Sequence, residues 1–209
     1  WNTDNQESKT LNGYLNNIIE NIKLDQENLK IISTFRDSSI VGSKYFMNMI
    51  EQENITKDDF TTYFSRYFKY NPWLDESFQS DQSGFEALKN SGYLSKIQQT
   101  EIETQLYNYY RLVEKIRTEE KSLNNFMEEM EYDMYKSNIV YSTKTLLSRI
   151  FKNAETQKDI EDLQIMVNYP AFIGSHSRNS GVNYMNVLYA ELSEIAIEIE
   201  EEIKKRTKG

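Results

Sequence analysis

The sequence feature that most constrains the fold is a run of residues that recur in steps of four and three. Nine of its ten positions are apolar and one is acidic: Ile102, Leu106, Tyr109, Val113, Ile116, Glu120, Leu123, Met127, Met130 and Met134. Heptad spacing of this kind places one apolar stripe along an α-helix and is typical of helices that pack in coiled-coil manner. We therefore expect a helix of about 35 residues here, begun by the capping sequence Thr100-Glu-Ile-Glu103.

Two further long helices are predicted by similar stripes. The first runs from about Ser8 to Gln52, with Gly42 as a candidate bend, and its stripe includes one acidic residue: Leu11, Leu15, Ile18, Ile22, Asp25, Leu29, Ile32 and Phe35. The last begins near Pro170, which the first turn of a helix tolerates. Its stripe is Gly181, Met185, Leu188, Leu192, Ile195 and Ile199, and it ends in Lys204, Lys205 and Arg206. These cations complement the negative end of the helix dipole.

Shorter helices are predicted between the long ones. Thr56-Lys-Asp-Asp59 resembles a capping box for a helix that ends before Asn71-Pro72. Ser83-Gly-Phe-Glu86 predicts another, which ends at Asn90-Ser91 with Gly92 in the left-handed conformation. Thr156-Gln-Lys-Asp159 predicts a third. Residues 138–155 either extend the heptad helix or form a separate one.

Scarce turn residues decide the fold class. The chain has only 2 Pro and 7 Gly in 209 residues. It therefore has too few turn-forming residues for a turn-rich β architecture. We predict a single all-α domain spanning residues 1–209. Its architecture is an elongated antiparallel helical bundle with long coiled-coil-like helices and short helices that close one end.

Composition also excludes several functions. A net charge of −9 argues against a nucleic-acid partner, because phosphate binding depends on clustered Lys and Arg. The absence of Cys removes disulfides, thiolate nucleophiles and Cys-type zinc sites. No stretch approaches the roughly 18 to 20 apolar residues of a membrane span, and no signal peptide opens the chain.

Residues 85–110 resemble a known pattern. Phe85-Glu-Ala-Leu-Lys-Asn-Ser-Gly92, followed by Gln-Leu-Tyr-Asn-Tyr-Tyr110, looks like the signature of a family of uncharacterised bacterial single-span membrane proteins. Members of that family begin with a basic segment and one transmembrane helix that ends in an Asn-Trp-Asn-like junction. Trp1-Asn2 resembles this junction.

The resemblance implies a membrane-tethered protein. A transmembrane helix would precede Trp1, and a basic N-terminus would place the domain on the periplasmic side of the inner membrane by the positive-inside rule. The family brings no established catalytic residues and no cofactor. We accordingly expect neither in this chain.

Several polar residues are candidate sites. The single histidine, His176, lacks a recognisable nucleophile motif, so an exposed or capping role is expected. Glu128, Glu129, Glu131 and Asp133 lack the Glu-x-x-His pairs of a di-metal bundle and predict a solvated face. Asp25 and Glu120 fall within apolar stripes. A surface position at the edge of the stripe is favoured for both over a buried polar site that would fix helix register.

An aromatic segment is the best candidate for ligand or partner recognition. It also contains Phe60, and its candidate binding residues are Tyr63, Phe64, Tyr67, Phe68, Tyr70, Trp73 and Phe78. Large rigid side chains give contact area at low entropic cost. The favoured alternative is that these side chains close the core at one end of the bundle.

The sequence therefore predicts an interaction or sensory module without catalysis, which binds an unknown protein partner or small ligand. A structural spacer or homo-oligomerisation scaffold is the alternative, and an enzyme with an unrecognised site is the least favoured. The up-and-down order of the helices predicts that the C-terminus returns to the membrane. Lys204, Lys205, Arg206 and Lys208 would then meet anionic headgroups, unless they only cap the helix dipole.

Overall fold

A computed structural model of the chain describes residues 2–52, 55–139, 149, 152 and 156–208. Seven α-helices can be delimited in these ranges: α1 Asn2–Ile50, α2 Lys57–Thr62, α3 Ser83–Asn90, α4 Glu101–Lys136, α5 Gln157–Val167, α6 Pro170–Ser180 and α7 Asn183–Lys208. A π-helical turn, Tyr63–Tyr67, and two 3-10 turns, Phe68–Tyr70 and Tyr93–Ile97, complete the described elements. The predicted all-α bundle is thus confirmed. None of the described helices has the length and apolar character needed to cross a bilayer.

Local capping signals set two of the helix starts. Thr56 with Asp59, and Thr156 with Asp159, each form the predicted reciprocal capping box. Ser83 does not cap α3 but lies within it, because the Asp81 carboxylate accepts the Ser83 amide at 2.9 Å and Gln82 takes the cap position. Gly92 follows α3 with a φ of 79°, as predicted for a left-handed residue past a helix end.

Two helix ends differ from, or refine, the sequence interpretation. The helix predicted from Pro170 onward is divided, because α6 ends at Ser180 and α7 begins at Asn183 after a turn at Gly181. α4 ends at Lys136, and Asn138 has a φ of 58°, which an α-helix does not accommodate. The heptad helix therefore stops before residue 138. Most of residues 140–155, like the junction residue Trp1, lies outside the described residues.

The chain forms two compact units. Unit 1 contains residues 1–33, 77–119 and 187–209, and unit 2 contains residues 34–76 and 120–186. Both units include residues of α1 and of α4. Neither unit is therefore a separate stretch of sequence.

Unit 1 contains one reversal that the sequence interpretation did not include. Lys96, just before α4, pairs with Glu7 at 2.8 Å, whereas Tyr109 further along α4 bonds to Asp25. α1 and α4 therefore run in the same direction, and the segment with α3 brings the chain back between them. α7 runs opposite to α4, because Gln105 bonds to Glu198 while the later residues of α4 line a cavity with Glu191.

The ends of α1 and α7 lie together in unit 1. Leu11 and Arg206 line one cavity of about 250 Å³, which is the geometry that a returning C-terminus requires. Lys204 pairs with Glu200 at 2.7 Å and Lys205 with Glu202 at 2.5 Å. These glutamates offset two of the cations that were expected to meet lipid headgroups.

Unit 2 has a core rich in aromatic and methionine side chains. Its buried members are Phe46, Met49, Phe60, Tyr63, Phe64, Met134, Leu163, Met166, Val167, Ala171 and Phe172. They come from α1, α2 with its π-helical turn, α4, α5 and α6. A Cβ on Gly42 would lie 3.1 Å from the Tyr67 Cβ, so glycine allows the π-helical turn to approach α1 closely, and α1 continues through this position without a break.

Candidate functional site

The aromatic segment divides into core residues and cavity residues. Tyr63 and Phe64 are buried in unit 2, and Phe78 is buried in unit 1, so these three contribute no surface. Tyr67 packs against Tyr45 with ring centroids 4.7 Å apart, and Tyr70 against Phe35 at 5.8 Å. Phe68 and Trp73 line a cavity. Some members of the segment are therefore core residues and others line a cavity, and their role in recognition stays a prediction.

His176 is a core residue, not the exposed or capping histidine that the sequence suggested. It lies on α6 with 1% of its surface exposed. Its Nδ1 is 2.9 Å from the Phe172 carbonyl oxygen. Since a carbonyl only accepts, Nδ1 carries the proton and Nε2 accepts from the Tyr63 hydroxyl. Burial lowers the pKa of His176 to about 3, so the ring is neutral.

Trp73 is held in place by a short chain of hydrogen bonds. Its indole Nε1 donates to the Ser175 Oγ at 2.8 Å, and Ser175 donates to the Ala171 carbonyl oxygen at 2.8 Å. The indole also packs on Phe172 at 4.9 Å and edge-on to His176 at 5.2 Å. The side chain is thus a rigid wall whose position is set by α6.

Trp73 lines an apolar cavity of about 170 Å³. Its lining comes from the segment after the 3-10 turn and from α4, α5 and α6: Phe68, Asn71, Trp73, Leu74, Glu131, Met134, Ile139, Met166 and Phe172. The polar atoms of Asn71 are engaged locally, because it donates to the Phe68 carbonyl oxygen and accepts the Trp73 amide. Among the described residues of this lining, Glu131 is the only charged side chain.

A second cavity of about 260 Å³ adjoins the first. It shares Trp73, Leu74 and Glu131 with the apolar cavity, and it adds mainly polar groups: Asp75, Asn124, Asn125, Met127 and Glu128. Burial and the neighbouring Glu128 charge raise the pKa of Glu131. The arrangement can therefore take an apolar group in one cavity and a polar group in the other, with Trp73 in the lining of both.

The acidic run on α4 behaves largely as expected. Glu128, Glu129 and Asp133 are exposed, whereas Glu131 is half-buried. In the part of the chain that the structure describes, no three His, Asp or Glu side chains converge as metal ligands.

The favoured prediction for Asp25 and Glu120, a surface position at the edge of the stripe, is wrong. Each residue is only 1% exposed. Asp25 accepts three hydrogen bonds within unit 1, from the Ser80 hydroxyl at 2.6 Å, the Asp81 amide at 3.0 Å and the Tyr109 hydroxyl at 2.8 Å. Burial raises its pKa, and these bonds oppose the shift. Asp25 is therefore the buried polar site of the alternative interpretation, and its role in fixing helix register stays a prediction.

Sequence reasoning missed the residues of α6 that position Trp73. A signal was available, because the buried residues of α6 follow helical spacing: Ala171, Phe172, Ser175, His176 and Asn179. Three of these five are polar and were not counted as core. Asn179 Nδ2 donates to the Ser39 and Ser43 hydroxyls on α1, each at 2.8 Å, whereas its Oδ1 is buried with no partner among the described residues, so this face of α6 forms a polar seam with α1.

Comparisons with family models, with curated proteins and with solved structures found no match. The class of molecule established is an all-α helical bundle with an aromatic-walled cavity. The family resemblance of residues 85–110 stays a prediction.

Proposed function

We propose that this chain is a binding module without catalysis, which recognises an apolar group of a small ligand in the cavity beside Trp73. The observation that carries the proposal is the rigid aromatic wall, fixed by the bond from Trp73 to Ser175, around a cavity of about 170 Å³. Apolar cavities of similar size accept a benzene ring. A preformed site of this kind binds without the cost of ordering its walls.

The cellular setting is proposed from the sequence. A transmembrane helix before Trp1 would tether the module to the inner membrane, with the binding unit on the periplasmic side. In that setting the module would be sensory or would present the bound ligand to a partner. The proposal is supported by the family resemblance of residues 85–110.

The alternative of an oligomerisation scaffold receives less support. A scaffold would need a second chain to cover the heptad stripe of α4. In the single chain, nine of the ten stripe residues are buried: Ile102, Leu106, Tyr109, Val113, Ile116, Glu120, Leu123, Met127 and Met134. The stripe is therefore used within one molecule.

Phenethyl alcohol is a suitable probe of the apolar cavity, because it carries one phenyl ring and no charge. We expect isothermal titration calorimetry to show saturable binding with one site per chain. Leu74 lines the cavity and is 41% exposed, so Leu74→Arg should remove binding by placing a long cationic side chain at the entrance.

The matched control is Ile165→Arg. Ile165 is 64% exposed and does not line the cavity, so this variant should bind as the wild type does. Equal binding by both variants, or no binding by the wild type, would overturn the proposed site.

A further inference from the structure

The two cavities beside Trp73 form one composite site with two chemistries. Trp73, Leu74 and Glu131 line both. A molecule whose apolar end lies in the smaller cavity therefore presents its other end to the larger one. The nature of the larger cavity then decides which polar group the ligand carries.

The larger cavity is acidic. Asp75, Glu128 and Glu131 bring three carboxylates to its wall, beside the side-chain amides of Asn124 and Asn125. Within the described ranges, no Lys or Arg forms an ion pair with any of these carboxylates. Burial and the neighbouring Glu128 charge raise the pKa of Glu131, and a bound cation would relieve the repulsion between the two carboxylates.

We propose that the ligand is a small organic cation, with an aromatic or branched aliphatic group in the apolar cavity and an ammonium group among Asp75, Glu128 and Glu131. The inference rests on the proposed function, because it specifies the charge of a ligand for the same site. The indole of Trp73 lines both cavities, so its ring is available to a cation as well as to an apolar group. A ligand carboxylate would meet like charges and is disfavoured.

The test compares three probes that share a phenyl ring and differ in charge: phenethylamine, phenethyl alcohol and 3-phenylpropionate. Calorimetry on the full 209-residue chain, at low salt and pH 7, should show that the amine binds about tenfold tighter than the alcohol. The propionate should bind more weakly than the alcohol. Added salt should reduce the preference for the amine, since it screens the charges.

Glu131→Gln removes the carboxylate that both cavities share. In this variant the ratio of the amine affinity to the alcohol affinity should fall most of the way to one, and this ratio is the readout because Glu131 also lines the apolar cavity. Thermal unfolding followed by circular dichroism checks that the variant is folded. Glu129→Gln is the matched control, because Glu129 is exposed on the same helix and lines neither cavity, and it should keep the full preference.

The possible failures are distinct. Equal affinity for the amine and the alcohol, or an amine preference that survives Glu131→Gln, would overturn the cationic ligand and leave the proposed binding function standing. No binding of any of the three probes would overturn both.

Discussion

In unit 1 the hydroxyls of the neighbouring residues Tyr109 and Tyr110 differ in their hydrogen bonding. Tyr109 donates to the buried Asp25 carboxylate at 2.8 Å. The Tyr110 hydroxyl is buried and has no hydrogen-bond partner among the described residues, while its ring stacks on Phe85 at 4.5 Å. The pair allows a comparison in which the removed atom is the same and only the partner differs.

Tyr109→Phe should lower the free energy of unfolding by about 1.5 to 3 kcal/mol, because it removes a hydrogen bond to a charged group. Tyr110→Phe should be neutral or slightly stabilising, because it removes a buried hydroxyl that lacks a partner. Urea denaturation at pH 7 measures both values. An equal loss in the two variants would show that Asp25 does not depend on the Tyr109 hydroxyl.

The buried His176 predicts a specific pH dependence of stability. Its pKa is about 3 in the folded protein and about 6.5 for an unperturbed histidine, so the unfolded chain binds up to one more proton between these values. Stability is therefore fully present above about pH 6.5 and is lost as the pH falls. His176 is the only histidine, so no other imidazole contributes.

His176→Gln removes this titration. Between pH 6.5 and pH 5 the wild type should lose about 1.6 kcal/mol more unfolding free energy than the variant. Urea denaturation at the two pH values gives the comparison, and the change with pH is compared rather than the absolute stability. Parallel pH profiles would contradict a buried, neutral His176.

At the scale of elements, Gly84 lets α3 lie close to α1. A Cβ at this position would be 2.5 Å from the Asn21 Oδ1 and 3.1 Å from the Ile18 backbone nitrogen. The same Asn21 oxygen accepts the Gly84 amide at 2.9 Å. The contact therefore leaves no room for a side chain.

Gly84→Ala should destabilise the protein by about 1 to 3 kcal/mol through overpacking. Gly13 provides the control, because it lies within α1 and an added Cβ meets nothing within 4 Å. Gly13→Ala should stabilise by about 0.5 to 1 kcal/mol through helix propensity. Thermal unfolding followed by circular dichroism should separate the two in opposite directions, and a stabilised Gly84→Ala would refute the close approach.

The sequence predicted helices well where the signal was local. The capping boxes at Thr56 and Thr156 depend on residues three positions apart, and both occur. Ser83 is not the N-cap of α3, because its backbone amide donates to the Asp81 carboxylate. The break between α6 and α7 was missed because Gly181 sits at a position that also fits the apolar stripe.

The candidate site was only partly predictable. The aromatic segment pointed to Phe68 and Trp73, but their cavity depends on Glu131, Met166 and Phe172, which lie far away in sequence. Heptad spacing gives no information about which helix faces which. The shared direction of α1 and α4 was not predicted either. It depends on the return of the chain through α3, which heptad spacing does not indicate.

We expect the whole protein to be a monomer. The apolar stripe of α4 is buried within one chain, so a second chain is not needed to cover it. Sedimentation equilibrium at micromolar concentration should give a mass near the 24.8 kDa of one chain. A stable dimer in which the α4 stripe becomes protected only on association would favour the scaffold instead.

Trp73 marks the proposed ligand site, and the indole N–H resonances of the two tryptophans test this placement most directly. The chain has 2 tryptophans, Trp1 and Trp73, and Trp73→Phe assigns their two signals in a ¹H–¹⁵N spectrum. During titration with phenethylamine, the Trp73 signal should shift and saturate. Saturable binding that leaves the Trp73 signal unmoved would place the ligand elsewhere and contradict the account.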